Sequence, residues 1–125
     1  MPIAWSILDA LRSKIVNGTD VDFKDLDSLA ADRARRGDAY LEFLRVASMS
    51  AGIYVLPAGS VDAQTPHGQD ELYYVVRGRA RMRAGAEDRP LESGTVVFVG
   101  AHVEHRFYDI QEELTVLVFF APAEA

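Results

Sequence analysis

The sequence predicts an all-β domain, a sandwich or barrel, that carries a helical arm at its N-terminus. Three observations point there. From Tyr40 onward, short apolar runs alternate with turn-forming Gly, Pro and Asp residues, and many short strands at such spacing make a sandwich or barrel. The strand–helix–strand rhythm of a parallel sheet is missing. Residues 1–38 instead place their apolar side chains at helical spacing.

In the arm, Ile3, Ile7, Leu8, Leu11 and Ile15 share one helical face, and Asn17-Gly18 stops the segment. A second helix is expected from about Asp22 to Arg36, with Phe23, Leu26, Leu29 and Ala30 as its apolar stripe. Its acids lie first and its arginines last, which suits the helix dipole, and Gly37 ends it. Strands are expected near Tyr40–Val46, Ala51–Leu56, Glu71–Arg77, Arg79–Ala84, Thr95–Val99, His105–Tyr108 and Leu114–Phe120. Turns are expected at Pro57–Ser60, Gly78, Gly85–Pro90, Ser93-Gly94 and Asp109–Glu113. The last strand is apolar on both faces, so the arm or a second subunit is expected to cover it. Arg77, Arg79, Arg81 and Arg83 alternate with small or apolar residues and read as a solvated basic face; the functional alternative is an anion site or an intersubunit salt-bridge ladder.

Length and composition bound the rest. A chain of 125 residues suits one compact unit, read as arm 1–38 and β-domain 39–125. There are no cysteines, so disulfides, thiolate metal sites and a cysteine nucleophile are excluded. The net charge of −6 disfavours general nucleic-acid binding, which needs clustered cations. The first residues lack the basic, apolar and small-residue order of a signal peptide, and no apolar run is long enough to span a bilayer. A cytoplasmic protein with no membrane partner is the expectation.

The three histidines, His67, His102 and His105, all fall in the β-domain. With Glu71, His67 and His105 form a set of two imidazoles and one carboxylate, which suits Fe(II) and related divalent ions and leaves coordination positions open. Strand parity puts Glu71, Tyr73 and Val75 on one face and Val103, His105 and Phe107 on one face. If both faces point inward, Glu71 and His105 enter the same cavity. Asp70, Gln64 and Tyr73 are the candidate partners for the free imidazole N–H groups.

Two segments resemble the motifs of the cupin superfamily. Gly59, His67, Glu71 and Gly78 stand in the register of its first motif, and Gly94 and His105 in that of its second. The resemblance runs over roughly residues 50–121 and is similar to small single-domain bacterial cupins of unassigned function. It implies a double-stranded β-helix, a jelly-roll barrel, with a divalent metal (Fe, Mn, Ni or Zn) on His67, Glu71 and His105. Three features depart from the pattern. Thr65 replaces the first motif histidine, Gly100-Ala101-His102 stands where Pro-x-Gly is usual, and Asp109 stands where Asn is common. Three protein ligands are enough for a catalytic metal, and Gln64 is a possible auxiliary ligand.

Two functions follow as expectations. One is a metal-dependent enzyme, of oxygenase or isomerase type, acting on a small polar organic molecule, with Tyr73 or His102 handling protons. The other is a non-catalytic module that binds or senses a small ligand. A structural subunit of a larger assembly is a third. A homodimer is expected, because the arm and the apolar last strand need cover.

Overall fold

The computed structural model describes residues 21–63 and 65–124. The first expected helix, around Ile3–Ile15, and the auxiliary candidate Gln64 lie outside the described residues. The second helix is present as α1 (Leu26–Arg36). It begins later than expected because Asp25 caps it: the backbone there is extended, and the carboxylate accepts from the Ser28 amide at 3.1 Å. Gly37, in the left-handed region, donates its N–H to Arg33 O and closes the helix. Leu26, Leu29 and Ala30 are half-buried as an apolar stripe, while Phe23 stays outside it, 90% exposed.

Six antiparallel strands follow: β1 (Tyr40–Val46), β2 (Met49–Leu56), β3 (Asp70–Ala84), β4 (Glu87–Leu91), β5 (Val96–Val99) and β6 (His105–Ala121). The sheet runs β1-β2-β6-β3-β4, and β5 pairs with the first part of β3. The apolar last strand is therefore central, flanked by β2 and β3 rather than lying at an edge.

Two expected turns prove to be bends within long strands. Gly78 joins the two expected strands around it into β3, and Asp109–Glu113 lies within β6. These two places sit across from each other in the β3–β6 ladder, where the register shifts three times between Val75 and Arg81. Gly78 has φ 104, and a Cβ there would lie 2.2 Å from the Glu113 carbonyl oxygen. Only glycine permits that approach of two backbones. Asp109, at φ 50, also takes the left-handed region, which Asp and Asn enter more readily than other side chains. The bulges flip side-chain parity: Glu71, Tyr73 and Val75 are buried before Gly78, and Ala80 and Met82 after it.

They also fold the sheet over. Ala84 lies opposite His105 in register, and Glu71 stands at the other end of β3, about 40 Å away if the strand were straight. Yet the Phe107 ring, opposite Met82, meets the Tyr73 ring edge-on at 5.1 Å and the Tyr54 ring at 6.3 Å. Tyr73, Val75, Met82, Phe107, Leu114, Val116 and Val118 thus share one core.

The expected closed barrel is not what forms. Among the described residues β1 pairs only with β2 and β4 only with β3, so the sheet has two open edges. The fold is all-β and cupin-like, with an N-terminal helix and an unclosed sheet. β4 was expected as a turn because it reads Glu-Asp-Arg-Pro. Charges and a proline are tolerated on an edge strand, and they discourage a further strand from adding. The arginine stripe is solvated as expected. Its partners are within the chain: Arg81 and Arg83 meet Asp88, and Arg79 meets Glu112.

Gly78→Ala is expected to cost about 4 kcal/mol of unfolding free energy in urea, because backbone atoms block the new methyl group. Gly59→Ala, at φ 78 but with open space around it, is expected to cost about 1–2 kcal/mol. Equal costs at the two sites would show that the approach to Glu113 does not hold the bend.

Candidate metal centre

The fold-over delivers His105 to Glu71. His105 opens β6 and Glu71 is the second residue of β3, and both side chains are 1% exposed. His105 Nε2 lies 2.9 Å from Glu71 Oε1. His67, on the loop before β3, brings its Nε2 to 3.4 Å from Glu71 Oε2. One ligand atom from each of His67, Glu71 and His105 falls within a 4.8 Å cluster, an arrangement able to coordinate a metal ion.

The loop that carries His67 is pinned from below by Asp62. This buried carboxylate accepts from the Tyr54 hydroxyl at 2.8 Å and from the Phe107 amide at 2.9 Å. From above, the His102 amide donates to His67 O at 2.7 Å, and Asp70 accepts from the Ala101 amide at 2.9 Å. The ring of Phe120 stands edge-on to His67 at 5.1 Å.

The second nitrogen of each imidazole fixes its tautomer. His105 Nδ1 is 2.8 Å from Val103 O, a group that can only accept, so Nδ1 carries a proton. His67 Nδ1 is 2.9 Å from Glu124 Oε2. A neutral ring held this way presents its Nε2 lone pair to the cluster, the state a metal ligand requires. Glu124 is itself anchored: its amide donates to Ser50 Oγ at 3.0 Å, and its carbonyl accepts from Arg45 at 2.6 Å.

The charges respond to this packing. Burial pushes the His105 imidazole down, but the Glu71 hydrogen bond, the Val103 carbonyl and the Glu71 charge outweigh it and hold its pKa above the usual histidine value. The His105 Nε2 that would take a proton is the atom facing Glu71, so a cation entering the cluster competes with that proton. Burial likewise lifts the Glu124 carboxyl above its ordinary range, against the lowering pull of His67.

Tyr73 reaches the cluster, with its hydroxyl 3.0 Å from His105 Nε2 and 3.3 Å from each Glu71 oxygen. The other proton-handling candidate, His102, stays outside. It is exposed, at φ 66, in the turn where Val103 N donates to Gly100 O. It occupies the position at which the motif usually has glycine, and this backbone angle explains that preference. Of the expected imidazole partners, Asp70 serves the 100–104 loop and Tyr73 faces the cluster. Glu124 and the Val103 carbonyl take the Nδ1 roles instead. The sequence held no local signal for Glu124, which lies beyond the last strand.

Residues 52–120 match the cupin domain family. An uncharacterized protein of Streptomyces coelicolor is 51% identical over 100 residues, spanning 80% of this chain and 95% of that one. Among solved structures, the protein TT1209 of Thermus thermophilus aligns with a TM-score of 0.69 and 26% identity, over 82% of this chain and 99% of that one. An RmlC-like cupin of Shewanella frigidimarina aligns with a TM-score of 0.60 and 20% identity, over 67% and 75% of the two chains, a likeness of fold alone. The chain belongs to the cupin superfamily.

Replacing Glu124 by Ala is expected to weaken divalent-metal binding about 10- to 100-fold, read by competition with a chromogenic chelator. His102→Gly is expected to leave that affinity unchanged. Full affinity in Glu124→Ala would remove Glu124 from any role at the centre.

Proposed function

We propose that this cupin holds one divalent ion, Fe, Mn, Ni or Zn, on His67 Nε2, Glu71 and His105 Nε2, and uses it on a small polar organic molecule. One observation carries the reading: two imidazole Nε2 atoms and a buried carboxylate converge with their other hydrogen-bonding atoms already engaged. A buried carboxylate between two histidines is costly unless a cation or proton neutralises it, and two nitrogens with one oxygen suit this group of metals. A bound ion would act as a Lewis acid toward a carboxylate, enol or hydroxyl oxygen, which is the chemistry of oxygenase- or isomerase-type enzymes.

The chain's own groups would do the rest. Glu124 and the Val103 carbonyl hold the rings in place. Tyr73, beside both Glu71 and His105, is the group placed to give or take a proton at a ligand oxygen. Phe120 and Val118 supply an apolar wall. A second reading, a module that binds or senses a small ligand without turnover, is favoured by Thr65, which leaves three ligands where the family motif has four.

No helix among the described residues is long and apolar enough to cross a membrane. The exposed side chains Leu72 and Tyr74 on β3 face Phe98 and Val96 on β5 and make one apolar strip on the outer sheet surface. We expect a second copy to cover it. Sedimentation should show a dimer that Phe98→Glu converts to monomer; a monomeric parent at high protein concentration would contradict this.

The metal reading is tested by elemental analysis of protein purified without chelator, beside a His67→Ala/His105→Ala variant, followed by incubation of the loaded protein with small hydroxy- and oxo-acids. Near-stoichiometric metal lost in the folded variant is expected. Product formation would support the enzyme, and a retained acid without product the sensor. A parent that takes up none of the four metals would overturn both.

A further inference from the structure

Three tyrosines, Tyr40, Tyr54 and Tyr73, line a cavity of about 200 Å³ beside His67 and Glu124. Their hydroxyls differ. Tyr54 donates to Asp62, and Tyr73 meets Glu71 and His105. The Tyr40 hydroxyl is buried and has no hydrogen-bond partner among the described residues. Buried polar atoms in folded proteins are almost always satisfied, and an exception calls for a ligand or a water.

The fold makes specific room for this group. Tyr40 opens β1 opposite Tyr54, and the two rings meet edge-on at 6.2 Å. The phenol end lies over Gly52 of β2. A Cβ at that position would fall 2.2 Å from Tyr40 Cζ and 2.3 Å from its hydroxyl oxygen. Any larger residue at 52 would push the hydroxyl away from where it stands. Burial, then the charges of Glu124 and Glu42, raise the Tyr40 pKa far above that of a free phenol, so the hydroxyl keeps its proton to donate.

The rest of the lining restricts the occupant. The cavity is smaller than sites that take drug-sized ligands. Val118 and Phe120 are apolar, Glu124 is acidic, and no Lys or Arg is among the described lining residues. A second anionic group on a ligand would find no cation there.

We propose that this cavity is the recognition pocket for a small oxygenated organic acid, held at the His67, Glu71 and His105 centre by one end and hydrogen-bonded at the other by the Tyr40 hydroxyl, with no second negative charge. This rests on the metal reading above.

The test uses the metal-loaded protein, its Tyr40→Phe variant and three racemic probes that share an α-hydroxycarboxylate chelate: lactate, glycerate and malate. Calorimetry should show glycerate, with one added hydroxyl, binding the parent about 3- to 10-fold tighter than lactate. Tyr40→Phe should erase that preference and leave lactate affinity and metal content unchanged. Malate, with a second carboxylate, should bind more weakly than lactate to both. An equal glycerate-to-lactate ratio in parent and variant, or no binding of any probe to loaded protein, overturns the pocket while leaving the metal centre intact. A parent that takes up no metal overturns the underlying reading instead. Melting of the ligand-free proteins is the second measurement. Tyr40→Phe should melt no lower than the parent, and a clear drop would show that the hydroxyl already serves the fold.

Discussion

The close approach of Gly78 to the Glu113–Leu114 backbone is the constraint on which the rest of the structure depends. Without it, β3 and β6 would run on as an extended ladder, and the residues at its two ends would stay far apart. With it, the ladder bends on itself, and His105 reaches Glu71 although they stand at opposite ends of their shared pairing. The same bend packs Phe107 against Tyr73 and Tyr54, which forms the core beneath the site. Folding energy and site geometry are therefore linked through one backbone contact.

The cluster shows how a buried carboxylate is made tolerable. Glu71 is 2% exposed and is met by two imidazoles and a phenol. Each imidazole is oriented from behind, His105 by a carbonyl of its own approach loop and His67 by Glu124. Half of this arrangement is local to the strand ends, where the backbone is well fixed. The other half arrives from a loop held by Asp62 and from the residues after the last strand. Rigid elements thus set Glu71 and His105, and polar contacts set His67. A centre built this way holds its ligand atoms in place before a cation arrives, which lowers the cost of assembling it.

Much of this was legible in the sequence, and the reasons are local. Alternation placed Glu71, Tyr73 and Val75 on one face, and that face is buried. The motif spacing singled out His67, Glu71 and His105, and these three residues converge. Glycine and aspartate marked Gly78 and Asp109–Glu113 as chain irregularities, but could not tell a turn from a bulge, because both use the same backbone angles. That ambiguity split two long strands in the reading. The closed barrel failed for a different reason: closure depends on whether two distant edges meet, and the charges and proline that mark β4 as an open edge also read as a turn. Glu124 meets His67 from far along the chain and Tyr40 lies over Gly52 of the neighbouring strand, and neither pairing has a periodic signal.

The central claim is that His67 and His105 both present Nε2, with Glu71, to one ion. X-ray absorption fine structure on the Co(II)-loaded protein measures this directly, because imidazole rings give a distinct multiple-scattering signature. Two imidazole nitrogens and oxygen scatterers are expected around the ion in the parent, and one imidazole in each of His67→Ala and His105→Ala. A spectrum with no imidazole scattering, or one unchanged by either substitution, would contradict it.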